Sequence, residues 1–317
     1  MNSPKKKILF ISSNMHIGGF QKSLIAVLQC LDYTKYDVDL LLFDPSGIFV
    51  DLIPKQVNLL SPVIPAEYFD RAPAAIKKLL QSKQWALAIR RICAAIVFLI
   101  DKGLGASILS RGIPGLAQKY DAAIDYNGQH ILYYLVDKIH AKRKISYFHS
   151  DYKKWPYYQS MDRKYYAKVD AIVTVSDLCV QSMKEVFPEY RQKIFCIENI
   201  ISTKTVSLFP EGQNGFTDNF NGKRIVTVGR VCKDKGVLLA LESCALLKKQ
   251  GVHCRWYWIG PWDSQKEQYL AVQESLGLQN NFVFLGATNN PYDYMRQADI
   301  VAHPSYFEGN TYAIRMI

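Results

Sequence analysis

Short apolar runs, rich in β-branched and aromatic residues, alternate with stretches of helical period along the whole chain. Stretches such as GGFQKSLIAVLQCLD and DLCVQSMKEVF have the helical period and lie between apolar runs. This alternation is typical of doubly wound parallel sheets, which carry helices on both faces. In the first part of the chain it predicts strands at 6–13, 36–44, 57–62, 120–127, 144–150, 171–177 and 193–199.

A polar stretch at 202–222 interrupts this pattern and is interpreted as a linker, after which the alternation begins again. The sequence thus predicts an α/β fold with two Rossmann-like domains, 1–201 and 223–317. The carboxyl ends of both sheets are expected to face a common cleft, because ligands bind there in such folds. The strands predicted for the second domain are 224–231, 253–261, 281–287 and 299–305.

One helical segment, about residues 72–118, fits neither sheet. A basic amphipathic helix can rest on an anionic membrane and bring the protein to a lipid-linked substrate. The same apolar spacing is equally typical of helices that cover a sheet and expose a basic face to solvent. The sequence leaves both interpretations open. The basic residues that accompany the apolar positions are Lys77, Lys78, Lys83, Arg90 and Arg91.

The net charge of the chain indicates which kinds of molecule it could bind. With 39 Lys and Arg against 28 Asp and Glu, the net charge is +11, which favours an anionic partner or simply maintains solubility. No RNA-binding signature or zinc-finger spacing occurs, so no nucleic acid partner is expected. The seven cysteines never form C-x-x-C, and no cleavable leader or membrane-spanning run is recognised. A cytoplasmic location is expected, with peripheral contact to the inner face of the plasma membrane as the option that segment 72–118 adds.

The first stretch that carries chemistry is SSNMHIGGFQKSL, where Gly18 and Gly19 lie between a strand and a helix. Free backbone N–H groups and the positive end of the helix dipole meet at such a junction, and glycines let an anion approach them. Plain turns also use two glycines, and the dinucleotide-binding fingerprint G-x-G-x-x-G is absent. The stretch by itself is therefore a weak indication of an anion site.

A second stretch, VTVGRVCKDKGVLLAL, follows the first strand of the second domain. It delivers Arg230 and, five residues later, Lys235, just before the glycine that starts the next helix. A guanidinium grips two oxygens and an ammonium adds a compact charge, so the pair suits a diphosphate and could stabilise a diphosphate leaving group. A solvated loop with two cations is the plainer interpretation.

Two further residues are candidates for contacts with a sugar. His149 follows a strand in KISYFHSDY, and Glu308 lies at a predicted strand-to-helix junction in HPSYFEG. The imidazole could hydrogen-bond a sugar or a phosphate, and the carboxylate could accept hydrogen bonds from sugar hydroxyls. A structural histidine and an acid that stabilises a helix N-terminus are the plainer interpretations. No metal-ligand spacing such as H-E-x-x-H occurs, so no metal is expected.

Taken together, these stretches resemble the family 4, or group 1, glycosyltransferases, which are retaining enzymes of the GT-B type with two facing Rossmann-like domains. Each motif is weak, and their shared order over nearly the whole chain makes the combination specific. The aromatic-rich YFHSDYKKWPYY is most similar to bacterial members that build cell-surface polysaccharides. The resemblance rests on GGFQKSL, YFHSDY, VTVSD, the IEN run, VGRVCKDKG, WIGP, FLG and HPSYFEG.

The resemblance implies a role for each candidate residue. Arg230 and Lys235 would bind the diphosphate of a nucleotide sugar, commonly a UDP-sugar, and the Gly18–Gly19 loop would face the phosphates. His149 and Glu308 would contact the transferred sugar as the catalytic residues. The family transfers the sugar with retention of its configuration, to a glycan or lipid-linked saccharide acceptor, and requires no metal or other cofactor.

One position departs from the family pattern. The family carries a second glutamate eight residues after the first, typically bound to the ribose of the nucleotide, whereas Met316 stands at that place here. A thioether cannot accept hydrogen bonds from the ribose as a carboxylate does. The resemblance therefore implies a second domain that is truncated at its C-terminal end. A catalytically inactive remnant, or a nucleotide- or glycan-binding subunit, is the alternative to an active enzyme.

A nicotinamide-dependent dehydrogenase is a third hypothesis, because it shares the α/β pattern. It is disfavoured by the missing G-x-G-x-x-G and by the lack of an acid placed for a ribose about 20 residues later.

Overall fold

The computed structural model describes residues 4–16, 18–47, 49–200, 215–288 and 290–306. The chain divides into two compact units, Met1–Ser202 and Thr203–Ile317. Each unit has a parallel sheet of its own. The candidate residues of the two units therefore belong to two separate sheets.

The described part of the first unit contains a seven-stranded sheet made of β1 (Lys6–Ser12), β2 (Tyr36–Leu42), β3 (Val57–Leu60), β4 (Lys119–Asp125), β5 (His140–Phe148), β6 (Ala171–Thr174) and β7 (Ile194–Cys196). All strands pair in parallel, in the order β3-β2-β1-β4-β5-β6-β7. Each of them overlaps an apolar run that predicts a strand. The order reverses between β1 and β4, and ligands of such sheets bind beyond the carboxyl ends of the strands at this point.

The α-helices described in the first unit are α1 (Gly19–Cys30), α2 (Ala72–Gln81), α3 (Trp85–Phe98), α4 (Lys102–Arg111), α5 (His130–Lys138), α6 (Gln159–Tyr166) and α7 (Asp177–Val186). Helices α2 to α4 lie within segment 72–118. Leu79 and Ala88 of this segment are buried in one hydrophobic cluster with Leu9 and Ile11 of β1. One face of the segment therefore covers the sheet. Of the helices described in either unit, none is both long and apolar enough to span a membrane.

The second unit, in its described part, has a four-stranded sheet of β8 (Lys223–Val228), β9 (Cys254–Ile259), β10 (Phe282–Gly286) and β11 (Ile300–Val301). The strands are parallel, in the order β10-β9-β8-β11. Strand β11 is shorter than the predicted 299–305, because the chain soon reaches Pro304, which has no N–H to donate to a ladder. The helices are α8 (Val237–Lys249), α9 (Lys266–Ser275) and α10 (Tyr292–Gln297).

The segment that precedes β8 binds to the second sheet. The carboxylate of Asp218 accepts hydrogen bonds from Arg224 at 2.6 Å, from Arg255 at 2.7 Å and from the hydroxyl of Tyr257 at 2.5 Å. These three partners lie on β8 and β9. The described end of the predicted linker, residues 215–222, is therefore attached to the second unit.

Candidate functional site

In the second unit, the loops that follow β8 and β9 touch through their backbones. The N–H of Gly229 donates to the carbonyl of Ile259 at 2.9 Å, and the indole N–H of Trp258 donates to the carbonyl of Gly229 at 2.9 Å. A Cβ on Gly260 would stand 1.9 Å from that same Gly229 oxygen, so no larger residue fits there. The residue before Arg230 is therefore held firmly at the carboxyl end of the sheet.

Arg230 and Lys235 lie on the loop 230–236, which holds three cations and one acid. Arg230 is exposed, whereas the Cγ and Cδ atoms of Lys235 lie 3.9 Å from the place that a Cβ on Gly229 would occupy. The stem of Lys235 thus packs over the residue next to Arg230. Helix α8 begins directly after the loop and has no acid in its first turn, so its positive end adds to the potential of the two cations.

The chain that follows β11 packs on the same loop. Gly236 has φ +75°, and a Cβ there would stand 2.0 Å from the carbonyl oxygen of Pro304. The N–H of Tyr306 donates to the carbonyl of Asp234 at 3.1 Å. The loop 230–236 and the segment after β11 therefore form one continuous surface at the end of the second sheet.

In the first unit, β1 leads to Gly18 and Gly19, and α1 begins there without an acid in its first turn. A Cβ on Gly18 would stand 2.1 Å from Oε1 of Gln21, a buried atom that accepts no hydrogen bond from the described residues. The amide of Gln21 donates to Asn14 at 3.2 Å. A Cβ on Gly19 would meet nothing within 4 Å, so the backbone at the start of α1 is open to an approaching group.

His149 lies beside this helix start. Its ring centroid is 6.0 Å from that of Phe20 in α1, 4.8 Å from that of Tyr126 and 5.6 Å from that of Tyr147. Burial lowers the pKa of His149 to about 4, while backbone contact with Tyr126 and the side chain of Asn199 act in the opposite direction. Neither ring nitrogen is accessible to solvent or makes a hydrogen bond of ordinary geometry within the described ranges. The imidazole is therefore neutral near pH 7.

The turn after β4 was not singled out by the sequence, although it lies where the strand order reverses. The buried carboxylate of Asp125 accepts hydrogen bonds from the N–H of Asn127 at 2.8 Å and from the next N–H at 2.7 Å, and burial raises the pKa of Asp125 to about 6. Gln129 follows with φ +56°, which is rare for a residue with a side chain. Polar residues at the end of the predicted strand 120–127 were the available signal.

Two more polar side chains of the first unit lie close to these elements. Lys22 is in the first turn of α1, and burial lowers the pKa of its ammonium to about 8. His130 begins α5, its ring lies 6.0 Å from Phe43, and burial lowers its pKa to about 4. Near pH 7 the ammonium of Lys22 is therefore mostly charged, and the imidazole of His130 is neutral. In the sequence, only the position of Lys22 and His130 after predicted strands could have indicated that they lie near the site.

The structure brings the sequence candidates together in two groups. The Gly18–Gly19 loop and His149 meet through Phe20 on the first sheet, and Arg230 and Lys235 share one loop on the second. Among the described residues, no three His, Cys, Asp or Glu side chains are grouped as a metal site would need. Two positions singled out in the sequence lie outside the described residues, namely Glu308 and Met316.

Comparison with known proteins identifies relatives of this chain. The family model Glycosyl transferases group 1 matches residues 222–315. The capsular polysaccharide biosynthesis glycosyltransferase CapH of Staphylococcus aureus is 27% identical over 142 residues, which are 40% of this chain and 40% of CapH. A 4-α-N-acetylgalactosaminyltransferase of Campylobacter jejuni is 29% identical over 145 residues, 45% of this chain and 37% of the relative. The chain thus aligns with about two fifths of the length of each curated relative.

Solved structures of low sequence identity share the architecture. Anabaena HepE, in complex with UDP and glucose, has a TM-score of 0.59 and 13% identity, over 95% of this chain and 74% of HepE. A variant of S. aureus TarM, in complex with fondaparinux, α-GlcNAc-glycerol and UDP, has a TM-score of 0.61 and 11% identity, over 98% of this chain and 84% of TarM. These likenesses confirm the GT-B fold.

Proposed function

We propose that this chain is a group 1 glycosyltransferase that transfers a sugar from a UDP-sugar to a glycan or lipid-linked saccharide. The proposed setting is the synthesis of a cell-surface polysaccharide, with retention of the anomeric configuration. Support comes from the relatives: CapH acts in capsular polysaccharide biosynthesis, and the C. jejuni transferase is named for a diphospho-undecaprenol-linked sugar. The similar HepE and TarM structures hold UDP.

The observation that carries the proposal is the cationic loop after β8. Arg230 is exposed there, Lys235 packs over the preceding glycine, and the positive end of α8 follows. We assign the diphosphate of the donor to these groups. Negative charge grows on the diphosphate as the sugar leaves, so fixed cations and helix N–H groups stabilise the transition state more than the ground state. We propose no metal and no other cofactor, because these groups can meet that charge.

In the first unit we assign contact with the transferred sugar to His149. With its single proton directed into the protein, a neutral imidazole can still accept one hydrogen bond from a sugar hydroxyl through its other ring nitrogen. The open backbone at Gly18–Gly19 and the charged Lys22 would add to phosphate binding at the start of α1. Glu308 keeps its proposed role on its motif alone, as an acceptor of hydrogen bonds from the sugar.

The test is binding and turnover by the purified full chain. UDP and a panel of UDP-sugars are titrated by calorimetry, and release of UDP is followed with and without lipid-linked saccharide acceptors. We expect Arg230→Ala and Lys235→Ala each to weaken UDP binding by about tenfold or more, because each removes a charge-assisted contact. Lys249→Ala, which removes an exposed cation from the last turn of α8, is the matched control. UDP binding that survives Arg230→Ala unchanged would contradict the assignment.

A separate measurement distinguishes an enzyme from a binding subunit. His149→Ala is expected to keep UDP binding within about twofold and to lower the transfer rate by about 100-fold, the scale at which one transition-state hydrogen bond contributes. If the unsubstituted chain binds UDP but releases no product from any sugar donor, the nucleotide-binding subunit is the better description.

We also propose that the first unit contacts an anionic membrane through α3. Apolar side chains of α3 and of Leu99, the residue directly after it, are spaced alternately four and three residues apart, which places them on one helix face. These side chains are exposed to solvent, with exposed fractions of 60% for Trp85, 62% for Ile89, 37% for Ile92, 57% for Ile96 and 88% for Leu99. We call these five residues the α3 seam. An apolar stripe of this kind suits the headgroup boundary of a bilayer.

The basic residues near the α3 seam also favour contact with an anionic membrane. Residues 71–100 contain six Lys or Arg and no Asp or Glu, so the surroundings of the α3 seam attract anionic lipid. Arg91 is the exception among the basic residues of segment 72–118, because it is 8% exposed and donates to the carbonyl of Asp70 at 2.8 Å. The basic surface therefore consists of Lys77, Lys78, Lys83 and Arg90, all exposed, although Lys78 is paired with Asp70 at 2.7 Å.

The membrane contact is tested by cosedimentation with vesicles. The double variant Ile89→Asp with Ile96→Asp places two charges in the α3 seam and is expected to abolish binding to vesicles that contain phosphatidylglycerol. Leu178→Asp is the matched control, because Leu178 is 77% exposed on α7 of the same unit. Unchanged vesicle binding by the double variant would contradict the proposal. A change from dimer to monomer would instead assign the seam to a second copy of the chain.

A further inference from the structure

A hydrogen-bonded chain of buried side chains connects Asn199 with the surroundings of His149. The hydroxyl of Ser23 in α1 donates to Oδ1 of Asn199 at 2.8 Å and lies 2.9 Å from the hydroxyl oxygen of Tyr126. Ser23 and Tyr126 are each 1% exposed, so water does not compete for these bonds. The ring of Tyr126 lies 4.8 Å from that of His149. Asn199, which follows the edge strand β7, is thus linked through Ser23 to Tyr126, the residue that packs against the imidazole.

The number of hydroxyl protons available fixes the direction of these hydrogen bonds. The hydroxyl of Ser23 has a single proton, which it donates to Asn199, so the short contact with Tyr126 must use the Tyr126 proton. Tyr126 therefore donates to Ser23, Ser23 donates to Asn199, and the amide oxygen is the final acceptor. That oxygen has a second lone pair, which is able to accept from a ring N–H. A carbonyl oxygen at this place favours the imidazole tautomer whose proton points to it.

We propose that Asn199 is a positioning residue that sets the orientation and tautomer of the His149 ring. This inference rests on the proposed role of His149 in sugar transfer. Among the other groups around the ring, Phe20 has no polar atom and Tyr147 meets His149 by stacking, whereas the backbone of Tyr126 also contacts the ring. Asn199 also stands three residues before Ser202, where the first unit ends. The proposed control of the orientation and tautomer of the His149 ring therefore lies close to the end of the first unit.

The first experiment reads the His149 ring directly, by NMR of the full chain with labelled histidine, assigned by the loss of one signal in His149→Gln. Asn199→Asp places a carboxylate in the position of the amide and is expected to raise the pKa of His149 by one unit or more, as a nearby opposite charge does. Asn280→Asp, an exposed position of the second unit, is the matched control. The other titratable groups on the elements around the ring, such as Lys22, Asp125 and Glu198, are the same in both variants.

A second pair of variants tests the tautomer. Asn199→Leu keeps the volume and removes the acceptor, so the ring nitrogen shifts of His149 are expected to report a mixed tautomer. Ser23→Ala removes only the hydroxyl that holds Asn199, and a smaller shift in the same direction is expected. This second variant keeps the inference testable if the leucine chain does not fold. Ring shifts that stay at their original values in both variants would overturn it.

Activity separates this inference from the proposed function. With Asn199→Leu we expect the transfer rate to fall by about tenfold while the KM for the donor stays within about twofold, because the donor's phosphates are held elsewhere. If Asn199→Asp leaves the His149 titration unchanged, Asn199 does not position the ring, whether or not the chain transfers sugar. If the titration moves and transfer does not respond, Asn199 positions the ring and the assigned role of His149 is wrong.

Discussion

At the scale of single residues, burial shifts the pKa values of ionisable groups in the first unit towards the neutral form. The carboxylate of Asp162 accepts hydrogen bonds from the hydroxyls of Tyr133 and Tyr152, each at 2.5 Å, yet burial raises its pKa to about 7. Asp125 and His149 follow the same rule in opposite directions, with pKa values of about 6 and about 4. A charge in a low dielectric is costly without an ionic partner, so burial raises the pKa of the acids and lowers that of the histidine.

Asp125 provides a prediction on pH and stability. Its pKa is about 6 in the folded chain against an ordinary 3.8, so folding favours the protonated form. The stability contribution is complete below about pH 4 and is lost as the pH rises through about 6, up to about 3 kcal/mol. Asp125→Asn cannot ionise, so thermal unfolding should show the variant gaining on the unsubstituted chain between about pH 4 and about pH 7.

The control for this prediction is Asp51→Asn, because Asp51 is an exposed acid of the same unit. Its difference from the unsubstituted chain is expected to stay constant over that pH range. A constant difference for Asp125→Asn as well would show that the Asp125 carboxyl does not titrate as its burial implies.

At the scale of secondary-structure elements, glycines decide how closely the loops of the second unit approach each other. Gly236 joins the loop 230–236 to α8 with φ +75°, and its missing side chain lets Pro304 pack against it. Gly260 does the same for the loops after β8 and β9. The surface that carries Arg230 and Lys235 therefore depends on close backbone contacts that only glycine permits at these two positions.

A matched pair of glycines tests this. Gly251 has φ +73° and nothing within 4 Å of a Cβ, so Gly251→Ala meets only the cost of the left-handed backbone, about 1–2 kcal/mol. Gly236→Ala has the same cost, and its Cβ would also collide with the Pro304 carbonyl. We expect Gly236→Ala to have the lower unfolding temperature and to bind UDP more weakly, measured by calorimetry. Equal effects of the two substitutions would show that the contact with Pro304 is not needed.

At the scale of the whole molecule, the excess positive charge belongs mainly to the first unit. Residues 1–202 hold 27 Lys and Arg against 18 Asp and Glu, whereas residues 203–317 hold 12 against 10. The donor's diphosphate is assigned to the second unit, which is almost balanced. The charge of the first unit therefore supports a second anionic partner, which agrees with the proposed membrane contact at α3.

Ionic strength separates the electrostatic and apolar parts of that contact. Raising the salt from about 0.1 M to about 1 M shortens the screening length from about 10 Å to about 3 Å. We expect vesicle binding by the unsubstituted chain to weaken strongly but not to vanish, because burial of the α3 seam does not depend on salt. If vesicle binding, measured by the same cosedimentation, does not change with salt concentration, the basic surface does not contribute to the membrane contact.

Much of this protein was determined by local sequence pattern. All eleven described strands overlap an apolar run that predicts a strand, because alternation of strand and helix signals is a property of neighbouring residues. The order of the motifs was sufficient to indicate the group 1 glycosyltransferases. The spacing of Arg230 and Lys235 was likewise readable, since both lie on one loop between one strand and one helix.

Only the tertiary structure decided which distant residues meet. Ser23 and Asn199 are 176 positions apart and bond because α1 and the end of β7 reach the same edge of the sheet. Arg91 is buried and its neighbour Arg90 is exposed, although their residue types predict the same surface. The physical reason is that burial and long-range hydrogen bonds depend on strand order and helix packing. Local pattern specifies the elements, and their assembly specifies the neighbours of each side chain.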